Sequence, residues 1–84
     1  MSRYVELQRD RKFIFGWDPP LGTFFLQIHD MQKPEEDRII YWLGATRETA
    51  MKEVEELVRA ASEYGLVISR KIQFQLYKER DEDI

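Results

Sequence analysis

The chain is 84 residues long, with a formal net charge of −3, 43% apolar and 35% charged residues, and no cysteine. This length supports one domain at most, since two cores of half the size could not offset the entropy of ordering both. The composition leaves no room for a disulfide or thiolate-metal framework, no stretch approaches the ~18 consecutive apolar residues of a membrane span, and the acidic balance argues against a sequence-independent grip on phosphates. A single cytoplasmic domain spanning 1–84 is expected.

The first ten residues are polar, and Arg3 and Arg9 stand among Glu6 and Asp10. They read as a flexible extension, as does the charged end at 79–84. From 13 to 17, Phe13, Phe15 and Trp17 alternate with Ile14 and Gly16, a period of two in β-favouring residues that predicts a strand. A second strand is predicted over 23–29, with Phe24, Leu26 and Ile28 on one side and Thr23, Phe25, Gln27 and His29 on the other. Between them, DPPLG suits a hairpin loop: the prolines stiffen it, Pro19 biases Asp18 away from the α region, and Gly22 can take a positive φ. In front of Pro19, the Asp18 carboxylate is expected to close an Asx-turn.

The charged loop DMQKPEED leads into 38–43, where Ile39, Ile40, Tyr41, Trp42 and Leu43 run without interruption. That run fits a strand covered on both faces or one with an exposed apolar face. Thr46 stands as an N-cap, and a helix is predicted over 47–64. In it Ala50, Met51, Val54, Leu57, Val58, Ala61 and Tyr64 recur at three- and four-residue steps, and Gly65 supplies the C-terminal stop. Val54 and Leu57 sit at the centre of that stripe and are expected in the core. The segment 69–80 is ambiguous. Ile68, Ile72, Phe74 and Leu76 approach a strand alternation, whereas Ser69 could cap a helix burying Ile72, Leu76 and Tyr77. Helix is favoured by the long side chains between them. The fold class is therefore α+β: a three-stranded antiparallel meander, one long helix and a shorter C-terminal helix, with a fourth strand at the C-terminus as the alternative.

The stretch FGWDPPLGTFF at 15–25 holds Gly16, Trp17, Asp18, Pro19, Pro20 and Leu21 in the order Gly, aromatic, Asp, any residue, Pro, Leu. It resembles a hairpin motif of short uncharacterised prokaryotic proteins in which an aromatic-rich strand and a helix follow. The resemblance implies a fold with a helical last segment; no activity is established for those proteins. The first twelve residues depart from that pattern as an added segment.

Few residues carry chemistry. His29 followed by Asp30 is the one place where a general base could be sought, and a lone imidazole lacks the converging groups that catalysis needs. Asp30, Glu35, Glu36 and Asp37 lack the alternation and glycine of a calcium loop, and Gly16, Gly22 and Gly44 do not form a phosphate loop. No catalytic residue, metal or cofactor is assigned. The aromatics are the stronger signal, because they fall on both faces of a sheet that one long helix can cover on one side only. Either the N-terminal segment (Tyr4, Val5, Leu7) or the last helix closes the second face, or a protein partner or a second copy in a homodimer does. The reading is a non-catalytic protein-interaction module using Trp17, Asp18, Pro20 and Leu21 on the hairpin with Phe25 and Tyr41 from the sheet. The alternative is single-stranded nucleic-acid binding, with sheet aromatics stacking bases and Arg9, Arg11, Lys12 and Lys33 meeting phosphates.

Overall fold

A computed structural model describes residues 3–82; the terminal parts of the segments expected to be flexible, 1–2 and 83–84, lie outside the described residues. The chain forms an antiparallel sheet in the order β1 (Tyr4–Gln8), β2 (Arg11–Asp18), β3 (Thr23–Asp30) and β4 (Ile39–Leu43), followed by helices α1 (Val54–Glu63) and α2 (Arg70–Glu82). A 3-10 turn at Glu35–Asp37 interrupts the loop before β4. The architecture is α+β with two C-terminal helices. Its sheet has four strands where three were expected, and the additional one comes from the N-terminal segment.

Alternation builds the core. Phe13, Phe15 and Trp17 of β2 and Phe24, Leu26 and Ile28 of β3 project to one side, where α1 supplies Val54, Leu57 and Ala61 and α2 supplies Leu76. Leu57 and Val54 are fully buried, as the helical stripe predicts. Burying such a side chain contributes about 1.5 to 3 kcal/mol, so this layer carries the stability of the domain. Trp17 meets Phe24 edge-on, ring centroids 4.8 Å apart. β1 joins the sheet by pairing Tyr4 with Phe15 and Glu6 with Phe13. The Tyr4 ring stacks on Phe15 at 5.5 Å, and its hydroxyl donates to Glu79 Oε1 of α2 at 2.8 Å. β1 and α2 are thus tied to each other over the sheet.

Two further expectations are corrected. The helix predicted over 47–64 begins at Val54, because the preceding residues close the end of β3 instead. The Phe24 amide donates to the Met51 carbonyl at 2.7 Å, and the Met51 amide donates to the Thr23 hydroxyl at 2.7 Å. Thr46 caps only a local turn there, accepting from the Thr49 amide at 3.3 Å, while Glu53 occupies the helix N-cap. The second correction concerns length: α2 has 13 residues against 10 in α1, so the C-terminal helix is the longer of the two. Ser69 does cap it, its Oγ accepting from the Ile72 amide at 3.3 Å. Gly65, at φ +92°, ends α1 as predicted, with Leu66 N–H bonded to the Ala61 carbonyl and Gly65 N–H to that of Ser62.

Candidate protein-binding face

α1 lies over β3 and α2 over β2. The opposite face of the sheet has no layer above it among the described residues. Register lays out its cross-strand rows. Val5, Ile14, Gln27 and Trp42 form one row, and Leu7, Lys12, His29 and Ile39 form the next. A bulge between Ile28 and His29 sets Ile39 opposite His29, so β4 adds an isoleucine to this face that strict alternation would have sent to the other. Ile14 is only 2% exposed because its neighbours in the rows close over it. Leu7 is 70% exposed and Trp42 52%. The N-terminal segment therefore enlarges the open face by Val5 and Leu7 rather than covering it.

The hairpin borders this face. Its turn is closed by backbone, the Gly22 amide donating to the carbonyls of Asp18 (2.8 Å) and Pro19 (3.1 Å), and the Lys52 ammonium donates to the Gly22 carbonyl at 2.9 Å. Pro20 and Leu21 are exposed, and Asp18 is half-buried. Between the hairpin and β4 lies a cavity of about 160 Å³ lined by Arg3, Leu21, Phe25, Gln27 and Trp42, with Asp18 at the hairpin end. Gly44 forms part of its wall, packed so closely on β3 that a Cβ would fall 2.0 Å from the Phe24 carbonyl oxygen.

Two residues expected on the binding surface lie elsewhere. Trp17 is 6% exposed, since its position in β2 shares the helix-facing parity of Phe13 and Phe15. Tyr41 pairs with Ile28 and so points to the helix side, where its ring lies 4.5 Å from that of Tyr64. Phe25 and Tyr41 are on opposite faces of the sheet. Asp18, Pro20, Leu21 and Phe25 are brought together, and Val5, Leu7, Ile39 and Trp42 join them. The last four were legible as apolar residues, but without register nothing in the sequence assigned them to one face.

Electrostatically the centre of the face is positive. Burial, then the charges of Lys12, Arg3 and Arg38, hold the His29 imidazole below its ordinary pKa. His29 Nε2 lies 3.1 Å from Gln27 Oε1. Arg9, Arg11 and Lys33 gather at the far end of the sheet, where Asp10, Asp30, Glu35, Glu36 and Asp37 also stand. There the Gln32 amide group donates to Asp10 Oδ2 at 2.9 Å and the Met31 amide to the Asp10 carbonyl at 2.7 Å, which joins the two loops. Among the described residues no group of three or more His, Asp or Glu side chains is placed to hold a metal ion. None of the described helices is long and apolar enough to cross a membrane.

The fold and face define a small two-layer α+β domain with one bare sheet surface. No family model matches the chain, and searches of curated proteins and of solved structures find no match.

Proposed function

We propose that this protein is a small, non-catalytic, cytosolic protein-interaction module that binds a partner on its open sheet face, with Asp18, Pro20 and Leu21 of the hairpin at the border. The observation that carries this reading is the apolar row structure: Val5, Leu7, Ile39 and Trp42 stand exposed beside Ile14 and Phe25 on a surface that none of the described elements covers. Monomeric proteins rarely leave such a contiguous patch without a use. β4 adds a second feature. Its five apolar residues form an edge of the sheet with β3 as the one neighbouring strand among the described residues, a position suited to receive a partner strand.

The test compares wild type with the double variant Leu7→Glu, Trp42→Glu, both checked by circular dichroism for folding. Proteins crosslinked to wild type in a lysate should be lost from the variant, and an unchanged set would remove the face from the proposal. Self-association through the same face would appear as a dimer in sedimentation that the double variant abolishes. The nucleic-acid reading retains one favourable observation, the cations Lys12, Arg3 and Arg38 around His29. It requires affinity for a single-stranded oligonucleotide that falls steeply with salt.

A further inference from the structure

The open face carries charge as well as apolar surface, and the two together narrow its occupant. In the two central rows Lys12 is the fully charged residue, Arg3 flanks them at the start of β1, and Arg38 lies beside His29 at the start of β4. The carboxylates around these rows are peripheral: Asp18 is at the hairpin end of the cavity, Asp10, Asp30 and Glu35 stand at the far end of the sheet, and Glu36 and Asp37 border Ile39 and Ile40. A second copy docked face to face would bring Lys12 and Arg3 of both subunits into one interface, where like charges are costly. Nucleic acid meets the opposite difficulty. Val5, Leu7, Ile14 and Ile39 offer no π-surface for bases, and among the described residues the rings of Trp42, the half-buried Phe25 and His29 are scattered among them rather than lined up as a stacking platform. Aliphatic rows flanked by cations complement an apolar surface that carries its own carboxylates.

We infer that the occupant is an acidic amphipathic segment of another protein, which seats one apolar side chain in the cavity between Leu21, Phe25 and Trp42 and directs its carboxylates toward Lys12 and Arg38. The inference rests on the interaction-module reading and adds the partner's chemistry. Cavity size supports it, since about 160 Å³ matches the ~150 Å³ that accommodates a single benzene-sized group.

The experiment uses two synthetic helical peptides with identical leucine and phenylalanine faces, one carrying Glu and the other Lys at every polar position, together with a twelve-residue oligothymidine. Amide shift mapping on the full chain should show the Glu peptide perturbing 5–7, 25–29 and 39–42, with at least tenfold higher affinity than the Lys peptide. Lys12→Glu, which leaves the apolar rows intact, should erase or reverse that preference. Equal affinity of the two peptides for the face would overturn the acidic partner and leave the interaction module standing. Failure of both peptides to perturb the face would overturn both readings. Oligothymidine binding to the same amides more tightly than the Glu peptide, with a steep salt dependence, would replace the protein partner by nucleic acid.

Discussion

At the scale of single residues, Gly44 and Gly65 separate two reasons for a glycine. Both have positive φ, +87° and +92°, but a Cβ at Gly44 would meet the Phe24 carbonyl oxygen at 2.0 Å whereas one at Gly65 would meet nothing within 4 Å. Gly65→Ala should therefore cost about 1 to 2 kcal/mol of left-handed strain. Gly44→Ala adds overpacking against β3 and should cost about 2 to 5 kcal/mol. Urea denaturation of the two variants checks the order, and equal losses would show that φ alone governs both. Tyrosine hydroxyls supply a pH signature. Burial, then the hydrogen bond to Glu79 and the charge of that residue, push Tyr4 up to about 12 from its ordinary 10.0. Tyr64 is also pushed up to about 12, first by its hydrogen bond with Tyr41. A raised phenol favours the neutral form in the folded state, so its contribution is complete below about pH 10 and is lost as pH rises through about 12. Phenolate absorbance should resolve these late titrations, and Tyr4→Phe should remove one of them while lowering stability at neutral pH by about 1 kcal/mol. Loss of a phenol that titrates at the ordinary 10.0, with both late titrations retained, would mean that the bridge to α2 is not formed.

At the scale of elements, β1 is the clearest test. Removing 1–8 would strip Tyr4 from Phe15, Val5 from Ile14 and the hydroxyl bond from Glu79. Newly exposing two large core side chains costs roughly 3 to 6 kcal/mol, against a total near 4 to 13 kcal/mol for a chain of this length. The truncated protein should melt far earlier or not fold, as circular dichroism would report; an unchanged melt would restore the segment to the flexible extension that its polarity suggested. That polarity explains why β1 was hard to see. Only Tyr4 of its five residues packs on the core, so an edge strand with one inward anchor has the composition of a loop. α2 was ambiguous for a related reason: Ile72, Phe74 and Leu76 mimic a strand, yet the helix uses Ile72 and Leu76 and leaves Phe74 70% exposed. The hairpin and α1 were legible because two signals agreed there, aromatic alternation with a proline loop in one and a sustained stripe with a terminal glycine in the other. The start of α1 was not, since Thr23 and Phe24 claim Met51 through contacts 27 and 28 residues distant in sequence, which no local pattern records.

At the scale of the whole molecule, the sheet is asymmetric, one side packed under the helices and the other open. The two tryptophans report on the two sides of this asymmetry. Trp17 lies in the core against Phe24, and Trp42 stands on the open face, so acrylamide should quench two populations: a blue-shifted, protected one and a red-shifted, accessible one. Trp42→Phe should delete the accessible population and change stability by less than about 0.5 kcal/mol, as for exposed substitutions elsewhere. Trp17→Ala should cost about 3 to 5 kcal/mol and bring the domain near unfolding. Adding the Glu peptide to wild type should then shield Trp42 and shift its emission to the blue without affecting Trp17. If Trp42 is already protected in the free protein and becomes accessible only on dilution, the face is buried between copies of the chain, and the homodimer displaces the acidic partner.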